Sequence, residues 1–399
     1  MKHLGDITKI HGDKIEPVDC ITFGSPCQDL SIAGRRAGLA GERSGLFVEA
    51  VRIIKEMRKA TNGMHPTFAI WENVPGVFSS NIGEDFRAVL EELARVEQPD
   101  VSIPRPSGRG GRWGKAGAIA GNGWSLAWRQ LDAQYWGVPQ RRKRIALVAD
   151  FRGQRAAEIL FERTSVSRNP DPCIKAWKEA SGLATNCPAG NGRNPAQPVV
   201  LESNQIHATI TQTGICSTLP ASMGMGGGYV PMITDRKVFD ARGNGGGEIV
   251  PTITGDHESR ITDYTALVIK RKPTKKIAWI VRRLTPTECE RLQGYPDGWT
   301  DIGEWTDTKG KKHKPADSPR YKALGNSIAL PQWFWLVQKM RPYLKEKPTL
   351  GSLFDGLGGF PLVWQKAYGE GTARWASEIE EFPIAVTKKH FPERNEHEN

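Results

Sequence analysis

Cys20-Ile21-Thr22-Phe23-Gly24-Ser25-Pro26-Cys27-Gln28 is a short apolar run that stops at a Gly/Pro turn carrying a thiol. A thiol at the C-terminal end of a buried strand sits where open α/β sheets place their ligands, so Cys27 reads as a nucleophile. The plainer alternative is a structural cysteine in a turn, because free cysteine is among the most buried residue types. Two further stretches decide between them. Phe68-Ala69-Ile70-Trp71 runs into Glu72-Asn73-Val74, and Gln140-Arg141-Arg142-Lys143-Arg144 runs into Ile145-Ala146-Leu147-Val148. A thiol, a carboxylate and arginines, each at a strand edge, form a reaction set.

The same alternation of apolar strands with helical patterns runs over residues 1 to about 150, as an open α/β sheet requires. Ile53 to Met57 and Phe86 to Leu93 carry the helical period. Ser107 to Gly123 is glycine-rich and predicts a loop or insertion. From about 155 to 275 glycine, proline, threonine and asparagine abound, and short strands or irregular structure are expected. The glycine clusters Gly226 to Gly228 and Gly243 to Gly247 are too few and too irregularly spaced for a repeat architecture. A helix is predicted around Gln332 to Met340, leading into the strand Leu350 to Phe354.

On these residues the chain resembles the cytosine-C5 DNA methyltransferases. Pro26-Cys27-Gln28 is similar to that family's nucleophile motif, Glu72-Asn73-Val74 to its carboxylate motif, and Gln140 to Arg144 to its arginine motif. Arg283-Leu284-Thr285-Pro286 through Gln293-Gly294-Tyr295-Pro296-Asp297 resembles the motif that organises the DNA-recognition domain. Tyr321-Lys322-Ala323-Leu324-Gly325-Asn326-Ser327 resembles the one that returns the chain to the cofactor pocket. The cofactor motif is at the far end, as Leu353-Phe354-Asp355-Gly356-Leu357-Gly358-Gly359-Phe360, followed by Ser377-Glu378-Ile379-Glu380. Lys388-Lys389-His390-Phe391-Pro392-Glu393 then reads as the lead-in to Gly5-Asp6-Ile7-Thr8, so the sequence resembles a circular permutant of the family. Such a rearrangement is tolerated where chain ends lie together at the surface.

The resemblance implies a Rossmann-like S-adenosylmethionine-dependent methyltransferase sheet of α/β class with a smaller, irregular β-rich target-recognition domain. It divides the chain into catalytic parts at 1–155 and 319–399 with recognition residues 156–318 between them. The implied reaction is methylation of carbon 5 of a flipped cytosine in a short duplex DNA sequence. Carbon 5 is a poor nucleophile, so Cys27 would add at carbon 6 and push electrons into the ring. Glu72 would supply the proton or hydrogen bond at N3. Arg142 and Arg144, two apart at a strand start, share a face where guanidinium forks can hold the base carbonyl, the nucleophile loop or a phosphate. Arg144 contacts the flipped base by resemblance, while Arg141 and Lys143 face the other way.

For the cofactor, the resemblance implies Phe354, Asp355, Gly356, Gly358, Gly359 and Pro26, with Glu378 on the ribose hydroxyls. Asp6 and Ile7 fall at the adenine, Asn326 and Ser327 at the methionine end, and Ile379 beside Glu378 also belongs to the cofactor site. Many family members have an acidic residue where Ser352 stands and a small apolar one where Asp355 stands. For DNA it implies Gln28, Ser31 and Arg43, in a loop with Arg35 and Arg36 that closes over the flipped nucleotide, together with Arg283 and Thr252. Thr218 competes with Thr252 for the last role, and Thr252 is favoured as the nearer to Arg283. Extruding a base costs a few kcal/mol, offset by protein contacts.

Composition narrows the field further. A net charge of +11 points to a polyanionic partner, sharpened by basic clusters at Arg105 to Lys115, Lys270 to Lys276 and Lys309 to Lys314. The six cysteines have no paired CxxC spacing, so neither a zinc site nor a disulfide framework is expected, and no metal is called for. No apolar run approaches the ~20 residues needed to span a bilayer, and no apolar signal region opens the chain. The expectation is a monomeric, cytoplasmic enzyme acting on double-stranded DNA without membrane attachment. An RNA methyltransferase of the same fold, modifying tRNA, is one alternative, although the long variable insert argues against it. A catalytically dead DNA-binding relative is another, and it would have lost the thiol or carboxylate that this chain retains.

Overall fold

The computed structural model describes residues 1–25, 45–106, 112–161, 199–203, 208–211, 232–234 and 282–393. Its main sheet has eight strands: β1 (Lys2–His3), β2 (Cys20–Phe23), β3 (Phe68–Asn73), β4 (Ala116–Ala120), β5 (Ser125–Asp132), β6 (Lys143–Asp150), β13 (Leu350–Leu353) and β14 (Ala373–Ser377). They lie in the order β1-β14-β13-β2-β3-β6-β5-β4. The first five are mutually parallel and the last three antiparallel. Every residue of β2 and β13 is buried, as strands covered on both faces must be, which is why they read as apolar runs without alternation.

Helices cover both faces. Helix α1 (Gly45–Ala60) joins β2 to β3, burying Phe47, Ala50, Val51, Ile54 and Met57 at helical spacing. It shares its face with α2 (Glu84–Ala94), where Phe86 meets the rings of Trp113 at 5.3 Å and Trp128 at 5.4 Å. The opposite face carries α3 (Ala156–Leu160), α4 (Pro286–Gln293), α5 (Asp317–Asn326), α6 (Leu330–Met340), α7 (Gly359–Tyr368) and α8 (Glu381–His390). Trp333, Phe360 and Trp364 pack in that second core.

Two expectations change. Ala116–Ala120 lies inside the stretch expected to be a loop, yet it forms the edge strand β4, paired antiparallel with β5. Gly117 permits this, since a side chain there would collide with the Trp128 ring. Within the segment expected to form the recognition domain, 156–161 and 284–318 pack on the main body: Leu284, Cys289, Leu292, Tyr295 and Trp299 share a core with Trp333 and Phe360. Between them, β7 (Val199–Ser203), β8 (Ala208–Thr211), β9 (Met232–Thr234) and β10 (Arg282–Arg283) form a separate antiparallel sheet of short strands in the order β10-β9-β7-β8. A two-stranded ribbon, β11 (Trp305–Thr306) with β12 (Lys312–His313), completes the described strands.

The sequence runs outward from β13 to β14 on one side and from β2 to β3 on the other. The chain therefore reverses direction across the sheet between β13 and β2, and the crevice beyond their C-terminal ends is where open α/β sheets bind ligands. Helix α8 carries the chain from β14 back toward β1. There the Met1 ammonium donates to the carbonyl of Pro392 at 3.0 Å, and the Leu4 amide donates to Ala376.

Candidate active site and cofactor pocket

Strand register brings the motifs to one edge. Leu353 pairs with Phe23 and Phe23 with Trp71, so the glycine loop after β13, the turn after β2 and Glu72 leave neighbouring strands together. The turn is tied down at Ser25, whose hydroxyl accepts from Trp71 Nε1 at 3.2 Å and whose carbonyl accepts from Asn73 Nδ2 at 3.4 Å. A Cβ on Gly24 would stand 2.9 Å from Glu72 Oε2, so only glycine lets the turn pass this close to the carboxylate. Ser25 is two residues before Cys27 in the chain. Pro26, Cys27, Gln28, Ser31, Arg35, Arg36, Arg43, Thr218 and Thr252 lie outside the described residues.

Glu72 and Arg144 form an ion pair, Oε1 to Nε at 2.7 Å, with both side chains largely shielded. The β3–β6 pairing sets it up, since Glu72 is opposite Ala146 and Arg144 is two residues away on the same face. Arg142 departs from expectation. It is fully buried, which takes it out of reach of a base or a phosphate. Its Nη2 donates to the carbonyl of Gly325 at 2.9 Å and to that of Ser327, so it positions the end of α5. Burial, reinforced by Arg144 nearby, pushes this guanidinium well below its ordinary basicity. Arg141 and Lys143 are exposed, as their alternation predicts.

The cofactor residues divide into those that face the crevice and those that build its walls. Glu378, at the end of β14, accepts from the amides of Gly356 at 2.7 Å, Ile379 at 2.7 Å and Glu380 at 2.9 Å. A carboxylate has about four acceptor positions, so one remains on Oε2 for a diol hydroxyl. Gly356 has φ +56° and open space where a Cβ would be, as a backbone approached by a ligand requires. Gly358 and Gly359 serve packing instead. A Cβ on Gly358 would lie 2.7 Å from Phe391, and one on Gly359 2.7 Å from the Tyr295 hydroxyl. Phe354 bridges the loop at φ +56° and packs against the α1-side core.

Ile379 is 68% exposed beside Glu378, open to a stacking partner. Asp6 lies at the same edge: Ser377 Oγ donates to the Gly5 carbonyl at 2.7 Å, and Asp6 Oδ1 accepts from the Thr8 amide at 3.0 Å. Ile7 is corrected. Its side chain is buried in the α1-side core.

Asn326 is exposed, whereas Ser327 is buried and bonded through its hydroxyl to Tyr295. Tyr295, whose motif gives no sign of this role, is thus a wall between the two halves of the site; burial pushes its phenol up. Of Arg283 only the backbone is described, at β10. Among the described residues one trio, His11, Asp13 and Glu56, brings possible metal-ligand atoms within 4.8 Å of one another. Glu56 there is already paired with Arg52 at 2.8 Å.

Asp355 is unusual. Its Oδ1 accepts from Ser352 Oγ at 2.6 Å, and its Oδ2 is buried with no hydrogen-bond partner. Burial raises its carboxyl to about 7; the Ser352 bond opposes this and the neighbouring Glu378 adds to it. An open glycine backbone, an acidic strand end with acceptor capacity and a buried acid lacking a counter-charge fit a cationic nucleoside cofactor.

This sheet order, with a glycine loop and an acidic strand end at the point of reversal, defines a Rossmann-like α/β protein. Sequence comparison supplies the family. The profile of the C-5 cytosine-specific DNA methylases matches residues 1–97 and 117–341, most of the chain, and the chain belongs to that family. It is 32% identical to a protein of Escherichia phage P1 named DNA N-6-adenine-methyltransferase, over 85% of this chain and 55% of that relative. The chain therefore spans about half the length of that relative. It is 26% identical to the Type II methyltransferase M.HpaII of Haemophilus parainfluenzae, over 85% of this chain and 75% of the relative. Similarity to the solved structure of the Schizosaccharomyces pombe Dnmt2 methyltransferase covers 85% of this chain and 83% of that one, at 16% identity and a TM-score of 0.43.

Proposed function

We propose that the chain transfers a methyl group from S-adenosylmethionine to carbon 5 of a cytosine flipped out of a specific short DNA duplex. The observation that carries this reading is the meeting, at one sheet edge, of the Glu72–Arg144 pair, the turn leading to Cys27 and the glycine loop with Glu378. When bound, the cofactor supplies an electrophilic methyl group. The Cys27 thiolate adds to carbon 6 while Glu72, held by Arg144, delivers a proton from its second oxygen to N3 of the base; after methyl transfer carbon 5 gives up its proton to a base and the sulfur leaves carbon 6, restoring the thiolate. Arg142 keeps the Gly325–Ser327 wall in place behind them. Glu378 and the Gly356 backbone hold the nucleoside, with Asn326 and Ile379 at its rim.

The narrower segment 162–283, including Thr252, would read the target in double-stranded DNA, and Arg283 would sit at its base. The chain would act as a cytoplasmic monomer. The family match supports a permuted order, because it ends at residue 341, before the glycine loop. The hydrogen bond from Met1 to Pro392 supports it independently.

The name of the phage P1 relative favours a second reading, methylation of the adenine amino group. An exocyclic amine attacks a methyl donor without covalent help, so that reading leaves Cys27 and Glu72 without work. Incubating duplex DNA with the chain and S-adenosylmethionine, then analysing nucleosides and bisulfite-sequencing the product, separates the two. The expected product is 5-methylcytosine at one short sequence. Cys27→Ala should abolish it while leaving DNA binding, and 6-methyladenine as the product would overturn the assignment. Phosphate contacts predict that DNA affinity falls steeply with salt, and a flat titration would remove them from the account.

A further inference from the structure

We propose that Asp355 makes the cofactor pocket select the sulfonium donor over its thioether product, releasing a proton as the cation enters. The inference rests on the assignment of the pocket to S-adenosylmethionine. Asp355 begins the glycine loop, and its amide donates to the Ser377 carbonyl at 3.0 Å, one residue before Glu378. Ser352 takes one carboxyl oxygen, and the other is buried without a partner. The described ionisable groups acting on it are Glu378, a like charge, and Tyr295, a buried phenol bonded to Ser327. Arg142 acts on Tyr295, with its Nη2 donating to the carbonyls of Gly325 and Ser327.

A shielded acid beside another acid, facing no cation among the described residues, has its carboxyl raised to about 7, so a large share of it is still protonated at neutral pH. A fixed positive charge in the pocket supplies the missing partner and drives the proton off. S-adenosylmethionine brings a sulfonium cation, whereas S-adenosylhomocysteine, its demethylated thioether, does not. The carboxylate therefore favours the donor once ionised, and the neutral acid does not distinguish the two by charge. A single linked proton bounds the effect at about ten-fold in affinity per pH unit.

The test is calorimetric binding of each ligand to the full chain between pH 6 and 8, in two buffers of different ionisation enthalpy, for the parent and for Asp355→Asn. Using the variant as reference cancels titration of the ligands' own amino groups. The parent should bind S-adenosylmethionine increasingly more tightly than the variant as pH rises, and release more protons near pH 6.5. S-adenosylhomocysteine should show no such difference.

Ser352→Ala, which removes the donor to the ionised carboxyl, should move the midpoint of this pH dependence upward and gives an answer even if the Asn variant does not fold. Parallel pH profiles for parent and Asn variant, or an unmoved midpoint in the Ala variant, would overturn the role of Asp355 while leaving the pocket intact. Failure of the parent to bind either ligand would remove the pocket assignment itself.

Discussion

Glu72 and Arg142 sit within a few residues of the same sheet edge, but their surroundings give them different work. Glu72 keeps an oxygen toward the turn that leads to Cys27, and Glu72→Gln should lower methylation by about 10²–10⁴-fold with little change in melting temperature. Arg142 holds two main-chain carbonyls in a dry interior. Arg142→Met should destabilise by about 3 kcal/mol or more in urea titration, since hydrogen bonds to a charged group contribute ~1.5–3 kcal/mol each.

Asp355 has an opposite signature. Its carboxyl is raised to about 7 in the fold, so between the unfolded range near 4 and pH 7 the native state holds a proton that the unfolded chain has lost. Stability from this group is full at low pH and declines as pH rises through that window. Asp355→Asn should therefore gain more melting temperature relative to the parent at pH 8 than at pH 5, and none below pH 4. Sequence alone shows which of these residues are acids, bases and thiols at strand ends. It does not show that Arg142 and Ile7 turn inward or that Tyr295 closes against Ser327, because those outcomes depend on partners far away in sequence.

At the scale of elements, local chemistry and structure agree best where the signals are short-range. Helix α4 begins with a reciprocal capping box: Glu288 N donates to Thr285 Oγ1 at 3.2 Å and Thr285 N to Glu288 Oε2 at 2.8 Å. It ends at Gly294, φ +79°. Thr285→Ala should cost about 1 kcal/mol in equilibrium unfolding. The apolar runs of β2, β3 and β13 and the periods of α1, α2 and α6 are legible for the same reason: their burial pattern is written in consecutive residues. Strand β4 is not, because Ala-Gly-Ala-Ile-Ala has little strand preference of its own and is held by its pairing to β5 and by the Trp128 ring. Gly358 also hides its reason. The sequence suggests a ligand-facing glycine, whereas Phe391, from the end of α8, occupies the space.

For the whole molecule, the order of motifs in the chain and the order of strands in the sheet carry the same information twice. In the main sheet β1 pairs with β14, and the segment after α8 meets the segment before β1 where Met1 donates to Pro392. Joining residue 399 to Met1 and reopening the chain between Tyr343 and Leu350 should give a protein that melts within a few degrees of the parent and binds S-adenosylmethionine equally well. Loss of folding in that rearranged chain would show that the present order is required rather than tolerated. The apportioning of residues 156–318 was the least legible feature at this scale. Leu284 to Trp299 read as part of a recognition motif, but their apolar side chains serve the core beneath the glycine loop.

The central place of β13 has a consequence for synthesis. On the ribosome β2 and β3 emerge early, while β13, the neighbour that β2 pairs with on its other side, is translated more than three hundred residues later. Until then a nascent chain carries a bare, largely apolar strand edge, the kind of surface that chaperones shield and that otherwise recruits other chains.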